Sequence, residues 1–154
     1  MKAKLIVFTL ALCVVGAAVC FAANSNMGTW KLNEAKSKLI PGMGKNTMVV
    51  YEEAGDSVKI TVDGVGGDGN ATHNEWTGKF DGKDYPVTGD PNSDMRSYKQ
   101  VNDRTLHAIS MKDGKATVDI HIVVSKDGKT RTVTAKGTDP KGKKFSITAV
   151  YDKQ

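Results

Sequence analysis

Three Asp-Gly pairs, at positions 81–82, 113–114 and 127–128, divide short runs rich in threonine, valine and isoleucine. An Asp-Gly pair tolerates positive φ at both central positions, which the tight type I′ hairpin turn requires. A hairpin joins neighbours that pair antiparallel, and consecutive hairpins make a meander. Gly55-Asp56 and Asn102-Asp103 are weaker signals of the same kind, and Asp139-Pro140-Lys141-Gly142 is a longer turn with proline early and glycine late. The runs between them start near Gly28, Asn46, Ser57, Asn70, Lys83, Met95, Arg104, Ala116, Lys129 and Lys143. Such regular spacing indicates an all-β sandwich or barrel. From residue 24 onward no window carries a long helical apolar stripe, and the sole helical candidate is one or two turns within Asn33 to Leu39. Greek-key crossings need longer connections than these. The expectation is an antiparallel up-and-down β-barrel of about 8–10 strands, which leaves no free sheet edge.

The barrel is assigned to residues 24–154. Residues 1–23 are different material: 19 of them are hydrophobic, and both cysteines lie there. Lys2 and Lys4 precede the apolar stretch Leu5 to Val15, and small residues follow up to Ala22 and Ala23. This is the pattern of a secretory signal peptide. A retained anchor and lipid attachment at Cys20 are the rival readings. Cleavage leaves about 131 residues without cysteine, about 31% hydrophobic, at a formal charge of +3. The expected location is periplasmic or secreted, with a bacterial source favoured and no stable membrane insertion after cleavage.

Two-residue turns fix register, so faces can be read. Around Asp127-Gly128, Val124 faces Arg131, Ile122 faces Val133 and Ile120 faces Ala135. Around Asp113-Gly114, Met111 faces Ala116, Ile109 faces Val118 and His107 faces Ile120. Around Asp81-Gly82, Trp76 faces Val87. A turn at Asn102-Asp103 sets Tyr98 opposite His107 and Arg96 opposite Ile109. This register turns Arg96, Tyr98, His107, Arg131 and Tyr151 toward the interior. Such a set suits a small anionic or amphipathic ligand, with arginine pairing a carboxylate in a water-poor cavity. A one-residue slip would instead turn Leu106 and Ala108 inward and leave His107 and Arg96 in solvent. Arg131 at the barrel mouth would simply snorkel.

Gly28-Thr29-Trp30-Lys31 opens the first strand, and Ile147-Thr148-Ala149-Val150-Tyr151-Asp152 closes the last. With the strand meander between them, these ends resemble the calycins: lipocalins and intracellular fatty-acid-binding proteins. The resemblance implies that Gly28 and Trp30 are structural, with Trp30 plugging the closed end of the barrel. It also implies a ligand in the interior. The departures are informative. Pro41, Gly42 and Gly44 leave no room for a helical lid. The family's Arg-x-Tyr pair in the last strand falls on Ala149 and Tyr151, so its arginine is missing. Avidin-like ligand sites need several tryptophans, and only Trp30 and Trp76 exist.

Other chemistries find little support. His73, His107 and His121 are the only histidines, and the hairpin register places His107 and His121 on opposite faces. Convergent zinc ligands are therefore not expected, and no metal or other cofactor is assigned. No Gly-x-Ser-x-Gly elbow occurs and no cysteine survives cleavage, so no enzymatic activity is assigned. The lysines at 141, 143 and 144 have no interleaved aromatic platform, which argues against nucleic acid. Two functions remain. One is an exported, non-enzymatic, lipocalin-like binder of a small apolar or amphipathic molecule. The other is a structural or envelope-associated barrel with a filled interior. A cavity of a few hundred Å³ reaching His107 and Arg131 would favour the binder.

Overall fold

The computed structural model describes residues 24–139 and 141–154. The signal-peptide assignment, residues 1–23, lies outside them. Ten strands follow one another: β1 (Gly28–Leu32), β2 (Lys45–Ala54), β3 (Ser57–Val65), β4 (Ala71–Gly78), β5 (Asp81–Thr88), β6 (Met95–Asn102), β7 (Thr105–Lys112), β8 (Lys115–Val124), β9 (Thr130–Thr138) and β10 (Lys144–Lys153). Each pairs antiparallel with the next, and β10 returns to β1, closing the barrel. This is the closed up-and-down meander that the sequence implies. The segment after β1 holds only a three-residue 3-10 turn, Glu34–Lys36, capped by the Asn33 side chain. There is no helical lid among the described residues.

The turn chemistry explains the hairpins. Asp113 at φ 50° and Gly114 at φ 72° both occupy the left-handed region, as a type I′ turn demands. At the β8–β9 connection, Gly128 N–H donates to the Ser125 carbonyl, and the loop is longer than two residues. The register still comes out as Val124↔Arg131, Ile122↔Val133 and Ile120↔Ala135. Trp76 pairs with Val87. Asp81-Gly82 lies inside β5 rather than between strands. The Asp81 carboxylate accepts from the Lys83 N–H, so its local hydrogen bond is spent within the strand.

Two bulges overturn the register expected for β6, β7 and β8. The β6–β7 turn falls at Asp103-Arg104, and Val101 is an extra residue on β6. Tyr98 therefore faces Ala108, and Arg96 faces Ser110. On β8, Thr117 is the extra residue between the Met111↔Ala116 and Ser110↔Val118 pairs. Its hydroxyl donates to the Ser110 carbonyl. His107 consequently faces His121, not Ile120, and Ile109 faces Asp119, not Val118. The physical reason is burial. Leu106 and Ala108 occupy the core at 0% and 1% exposure, and bulges absorb the odd residues that this parity requires. Opposite the β8 bulge stands Gly137, where a Cβ would meet the Thr117 carbonyl oxygen.

The core follows the alternation. Val49 and Tyr51 on β2, Ile60 and Val62 on β3, Ile122 and Val124 on β8, and Ala149 and Tyr151 on β10 are all buried. Trp30 on β1 is fully buried, and its indole N–H donates to the Asn26 carbonyl at 2.7 Å. Trp76, Phe80, Tyr85 and Tyr98 form an aromatic cluster, with ring centroids 4.7 Å apart for Trp76 and Tyr98. Leu39, Ile120 and Val133 pack on this core but stay partly exposed.

Candidate functional site

The strand alternation brings Arg96, Tyr98, Arg131 and Tyr151 to the interior and carries His107 to the outer surface. The correction for His107 follows directly from the two bulges. The four inward residues share a cavity of about 90 Å³ with Tyr51 and Ile120. It reaches Arg131 but not His107, and it falls short of the few hundred Å³ that would favour a binder. Ligand pockets for whole drug-sized molecules are usually about 300–1,000 Å³. This one suits a compact charged group. A wider but open groove of about 400 Å³ runs outside along Lys31 to Ala35, Asp152 and Gln154. The Lys36–Asp152 ion pair at 3.2 Å lies beside it on the surface.

Arg131 is the unusual member. It lies between Val124 on β8 and Tyr151 on β10, at 1% exposure. Its guanidinium carbon sits 5.1, 5.0 and 4.8 Å from the ring centroids of Trp30, Tyr51 and Tyr151. A guanidinium over aromatic faces gains roughly 0.5–2 kcal/mol per ring. The rings cannot accept its N–H groups as a carboxylate would. Nε and Nη1 are buried and make no hydrogen bond among the described residues. The guanidinium is a permanent cation, so the charge stays inside.

Arg96 shows the contrast. It is also buried, but its Nη2 pairs with Asp90 at 3.1 Å and its Nε donates to Ser110 Oγ at 3.2 Å. The tyrosines do not supply a counterion for Arg131. Burial pushes the Tyr51 phenol far above its ordinary 10.0, although the nearby Arg131 charge pulls the other way. Burial raises Tyr151 likewise, again partly opposed by Arg131. Both phenols are therefore neutral at physiological pH. Tyr151 instead donates to the Asn46 carbonyl at 3.2 Å. Among the described residues the interior thus holds one paired cation, one cation without an anion, and neutral phenols around it.

The sequence pointed to Arg131 and Tyr151 but missed Tyr51. Its signal was present: Tyr51 shares parity with Val49 in a strand that alternates inward and outward.

On the outer surface the histidines behave differently from one another. His73 Nδ1 lies 2.7 Å from Asp63 Oδ1 across β3 and β4. The hydrogen bond to Asp63 raises its pKa above the ordinary 6.5, against a smaller opposing effect of desolvation. A raised folded-state value stabilises the fold below the unfolded pKa, and that contribution disappears as pH rises through the folded value. His73 should therefore titrate above 6.5 by NMR, and Asp63→Asn should bring its midpoint back down. An unchanged midpoint in Asp63→Asn would remove the ion pair as the cause.

No family model matches the chain, and no curated protein matches it significantly in sequence. Among solved structures, one similar chain is EF1p2_mFAP2b bound to DFHBI, at 12% identity and a TM-score of 0.48. The match covers 86% of this chain and 97% of that one. Another is apocrustacyanin C1, at 16% identity and a TM-score of 0.44, covering 85% of this chain and 62% of that one.

Proposed function

We propose that the barrel is a non-enzymatic binder of a small anionic or amphipathic molecule, whose carboxylate or equivalent anionic group pairs with Arg131. The carrying observation is the buried guanidinium whose Nε and Nη1 lack acceptors among the described residues while three aromatic rings surround it. A buried charge without a partner is costly, and an anion entering from outside relieves that cost. Charge-assisted bonds to guanidinium are also among the stronger polar contacts. The cavity of about 90 Å³ accepts the anionic group rather than a whole lipid. An apolar remainder would lie toward half-buried Ile120 and Val133. The leader-like residues 1–23 support action after export, in the periplasm or outside the cell.

The test uses the tryptophan fluorescence of the purified protein, because Trp30 lies against Arg131. Straight-chain carboxylates from acetate to octanoate, and inorganic anions, are titrated into wild type and Arg131→Met. Wild type should give a saturable change at least tenfold tighter than the variant for the best carboxylate. Equal affinities, or no saturation with any anion, would favour the filled structural barrel instead. Intact mass of protein purified from its native host tests export, since retention of residues 1–23 would contradict it.

A further inference from the structure

The bulge at Thr117 does more than bury Leu106. It brings His107 and His121 directly opposite each other on adjacent strands. Their imidazoles stack at 4.6 Å between centroids, with planes 22° apart. The Asp119 carboxylate lies between them: Oδ2 is 3.1 Å from His107 Nε2, and Oδ1 is 3.1 Å from His121 Nε2. One donor atom from each residue can be chosen so that all lie within 4.8 Å of one another.

We propose that His107, Asp119 and His121 form an outer-face site for a divalent transition metal of the zinc class. Zinc binds imidazole nitrogen and carboxylate oxygen at about 2.0–2.2 Å, so neighbouring ligand atoms in a tetrahedral shell stand about 3.3 Å apart. Each imidazole Nε2 already stands 3.1 Å from an oxygen of the same carboxylate, His107 from Oδ2 and His121 from Oδ1. One donor atom from each residue lies within 4.8 Å of the others, and side-chain rotation of these surface groups draws them to the ligand spacing. The His107, Asp119 and His121 side chains are 29%, 53% and 59% exposed, leaving the remaining coordination to water. Two imidazoles with a single carboxylate suit zinc, copper or nickel far better than calcium or magnesium, which want more oxygen ligands.

The neighbours sharpen the choice. Lys99 on β6 faces His107, while Thr134 and Lys136 on β9 face His121 and Asp119. Ile109 on β7 also faces Asp119. The two lysines oppose a purely electrostatic cation site, so binding must come from the imidazole bonds. The His73 cluster is the weaker competitor. It offers one imidazole, and its Glu75 is held by Lys59 at 2.7 Å.

Zinc chloride titrated calorimetrically into the purified protein, in chelator-free buffer, tests the site. One equivalent should bind saturably. His121→Asn and Asp119→Asn should each weaken binding at least tenfold, while His73→Asn should change it less than twofold. His121 is exposed, so its variant should unfold at the wild-type temperature. Absence of saturable binding, or loss that follows His73→Asn instead, overturns the assignment. The Arg131→Met variant should bind zinc as wild type does, which separates this outcome from the fate of the interior site.

Discussion

Replacing Trp30 with alanine should lower stability by about 3–5 kcal/mol, the usual cost of truncating a fully buried tryptophan. For a domain of this size that corresponds to roughly 10–20 °C in Tm. Four losses combine. The side chain is 0% exposed, so its removal opens a cavity in the core. The Asn26 carbonyl loses its indole donor in a buried setting. Arg131 loses one of the rings that cover it, and Lys153, whose Nζ is 5.2 Å from the indole centroid, loses its packing surface. The position amplifies the effect. β1 has five residues and closes the barrel through three pairs to β10, with Trp30 opposite Lys153. Trp30→Phe keeps much of the volume but not the donor, and should cost less. Urea unfolding of all three proteins checks the order. A Trp30→Ala midpoint equal to that of wild type would show that Trp30 does not plug this end.

The strand meander was legible because its signals are local. Ten strand starts could be placed from turn residues and β-branched runs, and the β8–β9 register followed from Val124 opposite Arg131. What failed was register across β6, β7 and β8. A bulge adds one residue and reverses every face beyond it. Neither Val101 nor Thr117 announces itself as a bulge by residue type. The choice was made in three dimensions, where Leu106 gained more from burial than His107 could. The alternation in Leu106-His107-Ala108-Ile109 contained both answers, and only the closed barrel selected between them. That same reversal paired the two histidines which the hairpin reading had placed on opposite faces. The interior site was legible in part. Parity turned Arg131 and Tyr151 inward, but the cage joins Trp30, Tyr51, Arg131 and Tyr151, which belong to four strands. No local pattern predicts that depth, or the lack of acceptors around the guanidinium.

Arg131→Met should stabilise the ligand-free protein by about 1–4 kcal/mol while abolishing anion binding, because replacing buried ionic groups with apolar ones of similar volume often does so. The sign depends on two opposed effects. Three ring contacts favour the guanidinium, each by roughly 0.5–2 kcal/mol. Against them stands the desolvation of a permanent charge, several kcal/mol even after relaxation. Ordinarily a carboxylate offsets that penalty, but Nε and Nη1 have no acceptor among the described residues. Methionine fills the same space and keeps favourable contacts between sulfur and the rings. Arg96→Met is the internal control and should act in the opposite direction. It leaves Asp90, whose side chain is 18% exposed, without its cation, and Ser110 Oγ without its donor. Removing one member of such a pair destabilises, whereas removing a charge that has no partner relieves strain on the fold. Urea unfolding of both variants, with and without the best carboxylate, reads the difference. Added carboxylate should raise the wild-type midpoint and leave Arg131→Met unmoved, since only binding to the native state stabilises it. If Arg131→Met unfolds more readily than wild type, the rings alone hold the guanidinium, and its charge serves packing rather than a ligand.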